Sequence, residues 1–181
     1  MFEVLGTKIL AGVVSLSMLL FSSFKGNDPL ISSISTAKTG SYLYLKANLE
    51  NAFENDFPSI FASGSKIPVH YDLVVHQGSR TVASHRITNT VKFDPTTGIY
   101  ELKQGNKSPV FTESPEEVKR TLAAFEYSLA YQSAWNKINV KLEAHLPKVH
   151  FQQLNKELDL MVLWKYKKPS VKTLIDIRKV F

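Results

Sequence analysis

From Asn136 the chain reads Asn136-Lys137-Ile138-Asn139-Val140-Lys141-Leu142-Glu143-Ala144-His145-Leu146. Ile138, Val140, Leu142, Ala144 and Leu146 fall on one side, and Lys137, Asn139, Lys141, Glu143 and His145 on the other. A period of two is the signature of a strand with one face in a core and one in water. The same pattern recurs from Ile67 to Gln77, where Val69, Tyr71, Leu73 and Val75 alternate with His70, Asp72, Val74 and His76. Gly78-Ser79 follows as a turn, Arg80 to Phe93 as a long extended run, Asp94-Pro95-Thr96-Thr97-Gly98 as a second turn and Ile99 to Gln104 as the next strand. Turn chemistry between alternating runs predicts an antiparallel meander.

Upstream, Ile31, Ile34, Leu43, Leu45 and Ala47 against Tyr42, Tyr44 and Lys46 predict two strands around Lys38-Thr39-Gly40. Asn48 is placed to cap a helix in which Leu49, Ala52 and Phe53 share a face, with Phe57, Ile60 and Phe61 continuing past a kink at Pro58 to a stop at Gly64. Downstream, Gly105 to Thr112 reads as a loop. Ser114-Pro115-Glu116-Glu117 is a capping box with proline at the first helical position, and its helix carries Val118, Leu122, Phe125 and Leu129 on one stripe. Leu158, Leu160, Val162, Trp164 and Tyr166 share strand parity, and Val171 to Ile177 predicts a last strand. The expected class is mainly β (α+β by content): an antiparallel β-sandwich or curved sheet with two edge helices, behind an N-terminal hydrophobic helix. No strand-to-helix alternation or Gly-rich phosphate loop supports a doubly wound fold.

The chain has 181 residues, 44% of them hydrophobic, with 11 Phe, 7 Tyr and 2 Trp, enough for one domain with its own core. The absence of cysteine excludes disulfides, zinc-thiolate sites, iron–sulfur clusters, a thiol nucleophile and a cysteine-anchored lipoprotein. Between Lys8 and Lys25 no side chain is charged. That run extends about 24 Å as a helix, short of the roughly 30 Å hydrocarbon core, and it resembles a signal peptide, although no Ala-x-Ala triplet follows. Residues 1–25 are therefore expected to be a signal peptide or an N-terminal membrane anchor, with membrane contact through residues 9–24. Gly26-Asn27-Asp28-Pro29 is read as the boundary, and residues 30–181 as a single exported domain of the periplasm or cell envelope.

No constellation of side chains marks an active site, and no catalytic, cofactor-binding or metal residue is expected. His70, His76 and His85 lie on one hairpin, but His70 and His76 are roughly 20 Å apart along a strand, and His85 points to the other face if it pairs with Leu73. Ser63 or Ser65 with His70 and Asp72 lacks the nucleophile elbow, while Asp94, Glu116 and Glu117 are explained by a turn and a helix start. Phe53, Phe57, Phe61, Phe125 and Trp135 read as core. Structure explains least the positive charge near the end: Lys165, Lys167, Lys168, Lys172, Arg178 and Lys179 stand against Asp176 alone. Interleaved with Trp164 and Tyr166, this cluster suits an anionic lipid or polymer, or an envelope protein, and its structural explanation is a strand edge guarded by lysine. Export makes nucleic acid the least expected partner.

The stretch Leu49-Glu50-Asn51-Ala52-Phe53, with Ala62-Ser63-Gly64-Ser65-Lys66-Ile67-Pro68-Val69 and Val91-Lys92-Phe93-Asp94-Pro95-Thr96-Thr97-Gly98-Ile99-Tyr100, resembles a family of exported bacterial proteins known only as a domain of unknown function. Phe93 stands where that family usually has Tyr, and Ser65-Lys66 is an insertion. The resemblance spans about residues 30 to 165 and implies an envelope location without an assigned activity. The expected function is a non-enzymatic binding or scaffold module of the envelope. The alternative is a carrier of a lipid or other apolar ligand, with a cavity between helix and sheet; an envelope hydrolase ranks third.

Overall fold

The computed structural model describes residues 24–180; the hydrophobic segment at residues 9–24 lies outside them but for Phe24. The described chain is mainly β and antiparallel, with two α-helices. One sheet has the order β12-β9-β4-β5-β6-β7, formed by β4 (Ile67–Gln77), β5 (Arg80–Asp94), β6 (Ile99–Gln104), β7 (Val110–Thr112), β9 (Lys137–His145) and β12 (Ser170–Asp176). The second centres on β3 (Tyr42–Glu50), which pairs β8 (Ala124–Ala130) on one edge and β2 (Ser35–Thr39) and the short β1 (Leu30–Ile31) on the other. A small hairpin, β10 (Lys148–Phe151) with β11 (Lys156–Asp159), stands apart. The helices are α1 (Phe57–Phe61) and α2 (Pro115–Ala123).

Alternation places the core. Ile67, Val69, Tyr71, Leu73 and Val75 of β4 and Ile138, Val140, Leu142 and Ala144 of β9 are sealed from solvent, as are Leu43 and Leu45 of β3, and Phe125 and Leu129 of β8 are buried with them. The inner faces of the two sheets thus build one core. Tyr71 meets Phe125 at 5.6 Å between ring centroids, and its hydroxyl donates to the Leu122 and Ala123 carbonyls at 2.7 and 3.0 Å. Asn89, also sealed, donates through Nδ2 to the Thr121, Leu122 and Ala124 carbonyls at 3.2, 3.3 and 2.8 Å. Gln104 Nε2 adds a bond to the Ala124 carbonyl at 3.1 Å. The last carbonyls of a helix have no partner within it; here the sheet supplies side-chain donors to the end of α2.

Four local expectations are corrected. The helix expected from Asn48 is strand as far as Glu50: Leu49 extends the parity of Leu43 and Leu45 and pairs Ile31, and the Asn48 N–H donates to Ser32 Oγ at 2.8 Å. Asn51 and Asn55, at φ 54 and 53, turn the chain, as asparagine does most readily after glycine. The helix starts only at Phe57, with Pro58 in its first turn, where a missing N–H costs nothing. The helix from the capping box forms as expected, the Glu117 N–H donating to Ser114 Oγ at 3.3 Å. It ends at Ala123, so Phe125 and Leu129 belong to β8. Their spacing fits an i,i+4 stripe and a period of two equally, and the open edge of β3 decides between them.

Leu160–Trp164 is a 3₁₀ turn rather than a strand. The Met161 N–H donates to the Asp159 carboxylate at 3.0 Å, and Trp164 is buried with its indole N–H donating to the Ala52 carbonyl at 2.8 Å. Finally, the loop after Gln104 contains the edge strand β7.

Candidate functional site

The outer face of the six-stranded sheet carries the even positions of β4 and β12, the even positions of β5 from Ser84 on, past its register shift, and the odd positions of β9. The register sets His70 beside His145, Asp72 between Arg86 and Glu143, and Lys141 beside Lys172. Arg86 grips the Asp72 carboxylate with two bonds, at 2.7 and 3.0 Å, and this guanidinium holds the carboxyl below its usual range. His70 and His145 stack with centroids 5.1 Å apart, and His70 Nδ1 bonds Thr88 Oγ1 at 2.8 Å. His145 Nδ1 sits 3.3 Å from Asp72 Oδ2 but is not aligned with it, and remains buried without a hydrogen bond. Burial, before any charge effect, pushes both imidazoles below their ordinary value. The pair is therefore neutral at pH 7, a polar seam across β4 and β9.

His85 lies opposite Leu73, on the other face of the sheet from His70, and packs against Tyr127 at 5.0 Å. No group of three or more His, Asp or Glu side chains suited to a metal occurs among the described residues. Ser63 is buried, its Oγ accepting from the Ser65 N–H at 3.3 Å, and His70 faces a threonine instead of either serine. Asp94 accepts from the Thr96 N–H at 2.8 Å and stabilises its turn. Glu116 and Glu117 pair with Lys119 and Arg120 one turn on. Phe53, Phe57, Phe61, Phe125 and Trp135 are all core.

The six cations of the C-terminal cluster occupy three places. Lys172 stands on β12, an edge strand of the six-stranded sheet. Arg178 is tied to Asp176 by a 2.9 Å ion pair, which with their other hydrogen bonds depresses that carboxyl to about 2, and Lys179 follows it in a 3₁₀ turn. Lys165, Lys167 and Lys168 form a separate tip directly after Trp164. Lys167 is paired with Asp28, whereas Lys165, Lys168, Lys172 and Lys179 form no ion pair among the described residues.

The tip rests on Gly26-Asn27-Asp28, and these residues are part of the domain instead of a slack boundary before it. Asn27 is buried; its N–H and Nδ2 donate to the Leu163 carbonyl at 2.8 and 3.2 Å, and its Oδ1 accepts from the Glu54 N–H at 3.1 Å. The Gly26 N–H donates to Asp56 at 3.3 Å and its carbonyl accepts from Asn55 at 2.7 Å. Gly26 adopts φ +66 under the Lys165 stem, where an added Cβ would meet Lys165 Cε at 2.8 Å. Sequence reasoning missed this contact because Gly-Asn-Asp-Pro is also what a linker looks like.

No family model and no curated protein matches the chain. Its function is to be read from its own surface. A hollow of about 500 Å³ beside the β5–β6 turn is lined in part by Phe93, Pro95, Ile99 and Phe111. No helix among the described residues is long and apolar enough to cross a membrane.

Proposed function

We propose that the chain is a non-enzymatic binding or scaffold module of the bacterial envelope, kept beside the membrane by residues 9–24. The observation that carries this reading is the fastening of Gly26-Asn27-Asp28 to Leu163, Glu54 and Asn55. Phe24, the last residue of the uncharged run, already packs against the core, so no flexible tether separates that run from the folded domain. The reading is supported by a core filled with Trp164, Tyr71, Phe57, Phe125 and Phe151, and by carboxylates already engaged in ion pairs, Asp72 with Arg86 and Glu126 with Lys107. Its test is fractionation of the full-length protein in a bacterial host with intact-mass analysis. A full-length, membrane-bound species is expected; a shortened, soluble species would refute anchoring.

A second reading, a carrier of a lipid or other apolar ligand, is favoured by the hollow beside Phe93 and Phe111, which lies at the β5–β6 turn and not at the expected place between helix and sheet, with Phe111 65% exposed. Native mass spectrometry of the purified protein is its test. A bound lipid lost in Phe111→Asp would support it, and protein of bare-chain mass would count against it.

A further inference from the structure

Lys165 and Tyr166 follow one another at φ 50 and 58. Two successive non-glycine residues in the left-handed region are unusual, above all when one is a bulky aromatic. The geometry closes the 3₁₀ turn, with the Lys165 and Tyr166 N–H groups donating to the Val162 and Met161 carbonyls at 3.0 and 2.8 Å. It also turns Tyr166 out into solvent, 66% exposed, two residues after the fully buried Trp164. Lys165, Lys167 and Lys168 flank Tyr166 in the chain and are exposed, and Lys167 reaches Asp28 on the entering segment. Lys25, exposed, immediately precedes the Gly26 that the Lys165 stem covers. An exposed aromatic flanked in the chain by exposed lysines, beside the point where an uncharged run meets the domain, has the make-up of a membrane-interface anchor: the ring sits at headgroup depth and the ammonium groups meet anionic lipid.

We propose that the Lys165–Lys168 tip, with Lys25, is the face on which the domain rests against an anionic lipid surface, Tyr166 entering the headgroup layer. This rests on the reading of residues 9–24 as the membrane segment. It orients the domain: the tip lies at the His70–His145 end of β4, through Met161 beside Leu146 and Pro169 beside Ala144. The Gly78-Ser79 turn points away.

The absence of native cysteine makes Tyr166→Cys and Ser79→Cys unique labelling points, separated by most of β4 and its turn, roughly 30 Å. The full chain, labelled with a polarity-sensitive dye, is reconstituted into vesicles of phosphatidylcholine with phosphatidylglycerol, or of phosphatidylcholine alone, each containing headgroup-quencher lipid. Expected is quenching several-fold stronger at 166 than at 79, dependent on phosphatidylglycerol, and weakened by Lys168→Gln, since one lysine at such a surface is worth roughly five-fold in affinity. Equal quenching at both sites, or none of the dependence on anionic lipid, overturns the proposal. Alkaline extraction of the same vesicles separates the two readings. An embedded chain with an unquenched label at 166 removes the tip and leaves the anchor. A chain that washes off removes the anchor; its label at 166 is then read on adding the same vesicles, and salt-reversible quenching keeps the tip while no quenching removes it.

Discussion

Asn89→Ala is expected to unfasten the end of α2 from the sheet. The amide has two N–H groups to share among the Thr121, Leu122 and Ala124 carbonyls, all within 3.3 Å. Its loss removes these bonds and the one that Oδ1 accepts from the Gly105 N–H at 3.1 Å, while Tyr71 still serves Leu122, Gln104 still serves Ala124 and the Gly105 N–H keeps the Thr88 carbonyl, so Thr121 alone is left without its donor. At about 1–3 kcal/mol for a buried carbonyl left without a partner, the expected cost is about 1–3 kcal/mol, a sizeable part of the roughly 5–15 kcal/mol that holds a domain together. Tyr71→Phe alone is expected to cost about 1–2 kcal/mol. The double variant is expected to lose more than the two singles combined, because the Leu122 carbonyl is then left with neither donor, and neighbouring sites couple by about 0.5–3 kcal/mol. Urea unfolding followed by tryptophan fluorescence would show the shift as a lower midpoint with unchanged slope. A cost under about 0.5 kcal/mol for Asn89→Ala, the range of an ordinary surface change, or strict additivity in the double variant, would mean that the helix end is hydrated and refute this account.

Gly26→Ala forces a Cβ into the left-handed region and against the Lys165 stem; a loss of about 1–2 kcal/mol, or several degrees in thermal midpoint, is expected by calorimetry. Ser114→Ala removes the cap on the Glu117 N–H and should cost about 1 kcal/mol, measured by the same method. The imidazoles of His70 and His145 are held below their ordinary value, so as pH falls below about 6.5 the unfolded chain takes up protons first and stability declines until the folded-state values are passed. His145→Gln should flatten that decline in urea midpoints between neutral and mildly acidic pH, and an unchanged slope would refute it. Lys172 stands on edge strand β12 near Leu174, which is 62% exposed. Lys172→Ile should therefore promote edge-to-edge association, seen as a rise in light scattering that dilution reverses.

Much of the sheet was legible in the residues. The alternation of Ile67–Gln77 and Lys137–His145 has one reading, and Asp94 to Gly98 carries its own turn chemistry. Positions such as Phe125 and Leu160 were not legible, because their apolar spacing suits two backbone states and distant partners decide: the open edge of β3 for one, the packing around Trp164 for the other. The His70–His145 pair was hidden for a related reason. Both strands were evident, but no turn joins them, so their register could not be read locally. The lysine tip was visible as charge, whereas its contact with Gly26 depends on the return of the chain from Leu163 to Asn27.

The pairing of distant segments also sets when the fold can close. Tyr42 waits for Ala130, His70 for His145, and Lys137 for Asp176, so during synthesis β3 and β4 are left with unpaired edges until late parts of the chain appear. Closing such long loops before their contacts form makes folding slow, and it leaves both sheets incomplete for most of the chain's synthesis, when a polypeptide can more readily be threaded through a narrow channel.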